Sequence, residues 1–287
     1  MSDQVRTRNN TAIVVDSTAD LPDSLAADSN LSMVPLNVHF GDETFRDWVD
    51  IRPREFYARL RTASRLPTTS QPPAGAFIEE YRRLRRRFDH VYSVHLSSRL
   101  SGTLESATVA QREVDGVTVI DSEMVTLAVA LLVQRLLARL DAGTTHEDIL
   151  AYAERYRREA GRLFALDTLE YLQKGGRIGR ASGMAGSLLQ IKPVLTFTDG
   201  VVDAYKKVRG ERKVMATMRE YFLERTNPGS PVYVAVAHSD APARAEEMVA
   251  LVQNTDRQVE ISLVGEIGSV IGTYAGPGAV ALFFCQE

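Results

Sequence analysis

The stretch VYSVHLSSRLSGT, Val91 to Thr103, decides the fold. Its first part, Val91 to Leu96, is a β-rich run apolar enough for a strand covered on both faces. It passes directly into Ser97-Ser98-Arg99-Leu100-Ser101-Gly102-Thr103, a segment rich in small polar residues of the kind that start helices. The same junction recurs elsewhere. Ile13-Val14-Val15 leads into Asp16-Ser17-Thr18, Val117 to Ile120 into Asp121-Ser122, and Val232 to Ala237 into His238-Ser239-Asp240. Helical stretches separate these strands. In Ala74 to Phe88 the residues Phe77, Tyr81, Leu84 and Phe88 fall on one stripe, away from most of the arginines. Glu123 to Leu140 and Glu147 to Ala160 read as further helices, and Leu163 to Leu166 as another strand. The β-α-β alternation from Ile13 to Leu166 predicts an α/β fold whose N-terminal part is a mostly parallel sheet with right-handed crossovers.

The second half has a different pattern. Leu189 to Thr198 and Val201 to Val208 flank Asp199-Gly200, which predicts a hairpin. Helix Glu211 to Glu224, strand Val232 to Ala237, helix Ala241 to Asn254, and strands Gln258 to Val264 and Ala279 to Phe284 follow. We therefore expect two domains, residues 1–161 and 162–287, with the boundary near Gly161. Pro35 to Asp50 and the loop Pro67 to Pro73 carry no clear periodicity.

Composition narrows the function. The 287 residues are 44% hydrophobic and 25% charged, enough for a full core. The net charge of −3 argues against a nucleic-acid binder held by phosphate contacts. The 34 basic residues divide into 29 Arg and 5 Lys. The single cysteine, Cys285, excludes an internal disulfide framework and a cysteine-based zinc site. No run approaches the ~20 apolar residues of a membrane span, and Met1 to Asn10 is polar. A cytoplasmic protein is the simplest expectation.

Familiar catalytic patterns are missing. There is no G-x-G-x-x-G, no Walker A motif and no G-x-S-x-G elbow. Gly175-Gly176-Arg177-Ile178-Gly179 is glycine-rich but wrongly spaced for a nucleotide loop. His39, His90, His95, His146 and His238 lack metal-ligand spacing, so no metal and no cofactor are expected. The polar residues at strand ends lie where open α/β sheets bind ligands, although each Ser or Asp there also serves as a helix cap.

Seven segments together resemble the DegV family. They are Ile13 to Pro22 (IVVDSTADLP), Thr69 to Pro72 (TSQP), Leu96 to Thr103 (LSSRLSGT), Asp167 to Gly179 (DTLEYLQKGGRIG), Ile191-Lys192-Pro193, Lys207-Val208-Arg209-Gly210 and Gly276-Pro277-Gly278. The resemblance implies two α/β domains with a ligand cleft between them. It also implies a non-enzymatic carrier that binds a long-chain (C14–C18) fatty acid and presents it to a separate ATP-dependent fatty acid kinase for acyl-phosphate formation. Carried over by motif, the carboxylate is expected at Thr69 and Ser101, with Gly102 allowing close backbone approach. One position departs from the family pattern. Where the family often has a carboxylate-bonding His before the G-P-G, this chain has Tyr274. A phenol donates a hydrogen bond but carries no positive charge, so weaker electrostatics and less pH dependence near neutrality are expected. Arg177 corresponds to the family's kinase-docking arginine, and on that basis its removal is expected to spare fatty acid binding and abolish coupled turnover. Tail-lining candidates are Leu188, Leu189, Leu166 and Ile271. The alternatives are a carrier for another amphiphilic carboxylic acid and a self-contained acyl or phosphoryl transferase.

Overall fold

Successive residues of the first strand point into different cores, and this divides the molecule into layers. The computed structural model describes residues 4–184 and 191–287. Strand β1 (Thr11–Asp16) sends Ile13 and Val15 into one apolar cluster and Ala12 and Val14 into another. It pairs in parallel with β2 (Leu31–Val34) and β6 (His90–His95), and β6 pairs in parallel with β7 (Val117–Asp121). The result is a four-stranded parallel sheet in the order β2-β1-β6-β7. Helices α3 (Ala74–Arg85) and α4 (Thr103–Gln111) cover its outer face through Phe77, Tyr81, Leu84, Ala107 and Ala110.

The inner face meets α5 (Leu127–Ala142) and α6 (His146–Glu159). Helix α5 is buried on nearly every side, with Leu127 to Val133, Leu136, Leu137 and Leu140 all in the core. Its polar residues Gln134, Arg135, Arg139 and Asp141 are confined to the second half, and a helix so largely apolar needs covering layers on two sides. The second cover is a six-stranded sheet in the order β10-β9-β8-β13-β11-β12. Its strands are β8 (Gly161–Ala165), β9 (Ile191–Thr198), β10 (Val201–Arg209), β11 (Pro231–His238), β12 (Gln258–Glu266) and β13 (Val280–Gln286). On β11, Ala235 and Ala237 face the α5 layer, whereas Val232, Val234 and Val236 face α8 (Glu211–Glu224) and α9 (Pro242–Gln253).

A third sheet fills the segment without periodicity. Strands β3 (Asn37–Phe40), β4 (Glu43–Arg46) and β5 (Thr68–Ser70) are antiparallel in the order β4-β3-β5. Helix α2 (Pro53–Thr62) packs on it through Phe56, Tyr57 and Leu60. Three short helices complete the chain: α1 (Asp23–Ala26), α7 (Glu170–Lys174) and α10 (Ser269–Ala275).

Two expectations need correction. Leu163 to Leu166 does not extend the parallel sheet. Its residues Leu163 to Ala165 belong to β8, antiparallel to both β9 and β13. A continuous apolar run reports that both faces are covered but not which strand lies beside it, and the parallel sheet is completed instead by the half-exposed edge strand β2. The helix expected from Glu123 begins at Leu127, because Glu123 and Thr126 both take positive φ (53° and 50°) and break the α conformation before it. The hairpin matches expectation: Asp199 (φ 51°) and Gly200 (φ 73°) form the tight turn between β9 and β10. Among the described residues no helix is long and apolar enough to cross a membrane.

Candidate functional site

A cavity of about 340 Å³ opens between the two larger sheets, beyond the carboxyl ends of β6 and β7. The chain leaving β6 contributes Leu96, Leu100, Ser101 and Gly102, and the chain leaving β7 contributes Val125 and Thr126. The facing wall is built by strand alternation: Phe164 stands on β8 and Leu166 just after it, Phe197 stands on β9, and Ala279, Ala281 and Phe283 lie at every second position into β13. Helix α10 closes a further side with Val270, Ile271, Tyr274 and Ala275. Most of the lining is apolar.

Polar groups gather at one part of this wall. Thr69, the middle residue of β5, faces Tyr274 on α10, and their hydroxyl oxygens are 2.6 Å apart although 205 residues separate them in sequence. Ser101 Oγ lies 2.9 Å from Thr103 Oγ1 and accepts the Thr103 N–H at 3.3 Å, just where α4 begins. Gly102 stands at the cap of α4 with Gln71 pressed against it: an added Cβ would be 2.1 Å from Gln71 Oε1. Gln71 itself donates from Nε2 to Ser106 Oγ at 3.1 Å. Ser101 and Gly102 also line a surface groove along α4 with Ser98, Leu104 and Thr108, so this end of the cavity borders solvent.

Arg177 is exposed and also lines the cavity. Its Nη1 donates to Gly175 O at 2.8 Å and its Nε to Leu100 O at 3.3 Å. Its guanidinium carbon is 5.0 Å from the centre of the Tyr274 ring, within cation–π range. The same ring packs so closely on Gly175 that a Cβ there would lie 2.4 Å from Tyr274 Cδ1. All five residues expected from motif—Thr69, Ser101, Gly102, Tyr274 and Arg177—thus line one cavity. Leu166 and Ile271 line it as well, while Leu188 and Leu189 lie outside the described residues.

Two buried carboxylates fix α10 from behind. Asp20 Oδ1 accepts Trp48 Nε1–H at 2.9 Å and the Gly268 N–H at 3.0 Å. Asp47 Oδ1 accepts the Ser269 N–H at 3.0 Å. Burial holds Asp20 well above the ordinary carboxylate range, and the charge of Asp47 adds to this. Burial raises Asp47 to about 6, against the hydrogen bonds from Ser17 and Ser269 that lower it. A third carboxylate, Asp16, joins the ends of β1 and β6 by accepting Leu96 N–H at 3.0 Å and bonding His95 Nδ1 at 2.9 Å. His95 Nε2 continues to Ser93 Oγ at 2.7 Å, which accepts the Tyr81 hydroxyl. All four side chains are buried, so this chain of bonds braces the sheet and does not face the cavity. Among the described residues no group of three or more His, Cys, Asp or Glu side chains is placed to hold a metal.

Several wall residues escaped the sequence reading: Gln71, Phe164, Phe197, Ala281 and Phe283. The period-two spacing Ala279-Ala281-Phe283 was the available signal, since small residues at alternate positions of one strand leave space on one face.

Comparison with known proteins agrees with this architecture. Residues 10–287 match the family described as "Uncharacterised protein, DegV family". A structure from Thermus thermophilus, described as fatty acid binding of a DegV family protein, superposes with a TM-score of 0.93 at 36% identity, covering 97% of this chain and 100% of that one. The structure of Bacillus subtilis DegV, described as a fatty acid binding protein, gives a TM-score of 0.88 at 34% identity over 97% of this chain and 99% of its own. A Thermotoga maritima protein named fatty acid-binding protein is 34% identical over 93% of this chain and 95% of its own length. The family match over nearly the whole length, the shared fold and these identities make the chain a member of the DegV family.

Proposed function

We propose that the protein binds a long-chain (C14–C18) fatty acid, with its carboxylate at Thr69, Ser101, Gly102 and Tyr274 and its acyl chain in the apolar cavity. The observation that carries this reading is the placement of hydroxyls at one part of an otherwise apolar, strand-walled cavity of about 340 Å³. That volume lies in the range of small-molecule sites. A buried methylene contributes about 0.8 kcal/mol, so some fourteen of them give roughly 11 kcal/mol before ordering costs. The tail therefore supplies most of the affinity, and the hydroxyls, which can donate to a carboxylate oxygen, fix the register. Fatty acid binding by the relatives described above supports the ligand class.

The protein acts in this reading as a carrier and not as a catalyst. A separate ATP-dependent fatty acid kinase, docking at the rim that carries Arg177, phosphorylates the carboxylate to an acyl phosphate. Two features support presentation to a partner: the head-group residues Ser101 and Gly102 border a solvent groove, and Arg177 is exposed beside them.

The test is denaturing extraction of the purified protein followed by mass spectrometry. A near-stoichiometric C14–C18 acid is expected from the wild type and a strongly reduced amount from the Thr69→Ala/Ser101→Ala double variant. Another amphiphile in its place, or no binding of added palmitate or oleate, would overturn the proposal.

A further inference from the structure

We propose that Ser97 is a positioning residue that sets Ser101 for the ligand, and that the tip of the β9–β10 hairpin, from the other large sheet, holds Ser97 in place for this task. The inference rests on the fatty-acid reading above. Ser97 is fully buried and is not among the residues that line the cavity. It therefore acts on the ligand only through its neighbours.

Ser97 is the hub of the turn that leaves β6. Its N–H donates to Met124 O at 2.9 Å, and its carbonyl accepts the Leu100 N–H at 3.0 Å and the Ser101 N–H at 3.3 Å. Its Oγ accepts the Arg99 N–H at 3.2 Å and donates to Gly200 O at 2.7 Å, across 103 residues of sequence. A hydroxyl has one proton to give. With that proton on Gly200 O, its lone pairs are left to hold the Arg99 N–H. The amides of residues 99, 100 and 101 thus all close onto Ser97, which fixes the path of the chain up to the Ser101 side chain.

The hairpin comes this close because its tip is glycine. Gly200 has φ 73°, and an added Cβ would stand 2.5 Å from Ser97 Oγ and 3.1 Å from Arg99 Cγ. The same hairpin is cavity wall: Phe197 and Val202 pair across it and both line the cavity. A shift of the hairpin therefore moves the apolar wall and the Ser97 turn together, and ties the seating of the acyl chain to the placing of Ser101.

The experiment is a double-mutant cycle read by titration with palmitate, using wild type, Ser97→Ala, Ser101→Ala and the double variant. Ser97→Ala is expected to bind about fivefold more weakly and Ser101→Ala about tenfold. The double variant stays near the tenfold loss and does not reach the product of about fiftyfold, because Ser97 has nothing left to position. Gly200→Ala presses on Ser97 from the hairpin side and follows the same rule: weaker binding alone, no further loss on top of Ser101→Ala. A merely structural role would cost the same factor in both backgrounds. That result, or wild-type affinity in both Ser97→Ala and Gly200→Ala, would overturn the inference and leave the fatty-acid reading intact. Wild-type affinity in Ser101→Ala would overturn the inference together with the head-group placement, and a wild type that does not bind palmitate would overturn the fatty-acid reading as well.

Discussion

Ala281→Leu puts a larger side chain into the wall opposite α10 and tests which part of the cavity holds the tail. Ala281 is 3% exposed, stands near the start of β13 between Ala237 of β11 and Phe164 of β8, and lines the cavity. Leucine adds the bulk of about three methylene groups, and these displace a similar length of ligand from the cavity. At about 0.8 kcal/mol each, an acid that fills the wild-type cavity loses roughly 2.4 kcal/mol, about sixtyfold in affinity. An acid about three carbons shorter loses little. The ligand-free variant keeps its melting temperature, since the new side chain enters open space. The assay is competitive displacement of a fluorescent fatty acid by a series of saturated acids of increasing length. A uniform loss at every length, or no change at any length in a folded variant, would refute the placement of the tail along β13.

Thr69→Val keeps shape and removes the hydroxyl that meets Tyr274 at 2.6 Å. Stability measured in urea falls by about 1 kcal/mol and affinity for the acid by about tenfold. Gly175→Ala drives a methyl group into the Tyr274 ring, so titration should show acid binding several-fold weaker although residue 175 itself touches no ligand. Asp47→Asn tests the buried carboxylate behind α10. Its folded pKa of about 6 is raised from 3.8, so the native state holds more protons than the unfolded state between those values. The group's favourable contribution is complete below about pH 4 and is lost as pH rises through about 6. Asparagine keeps an acceptor for Ser269 N–H without that loss. Chemical denaturation should therefore show the variant gaining on wild type by about 3 kcal/mol between about pH 4 and about pH 7.

Much of the frame was legible because both faces of β1, β6 and β11 are covered, which leaves unbroken apolar runs in β1 and β11 and a run broken only by Ser93 and His95 from Val91 to Leu96. The small sheet was not legible. Its strands are three or four residues long and β4 is largely exposed, so neither length nor alternation marks them. Helix α10 was hidden for a related reason: seven residues including Gly272 give no period. The site residues were found by motif and not by pattern. Nothing local to Thr69 or Tyr274 announces their meeting, which depends on β5 pairing with β3 and on Asp20 and Asp47 seating the start of α10. The stacking of Arg177 on Tyr274 was likewise invisible, since a glycine-rich segment encodes no direction for its arginine.

The sequestered helix α5 has a consequence for how the chain holds together. It packs against strands of both larger sheets, β6 on one side and β11, β12 and β13 on the other. Parting the sheets would wet the buried run Leu127 to Val133 together with Leu136, Leu137 and Leu140, so they cannot swing open as independent lobes. Calorimetry is expected to show a single cooperative transition despite the two larger sheets, and two resolved transitions would refute this coupling. Severed before β8, the N-terminal fragment would carry α5 bare on one flank and aggregate.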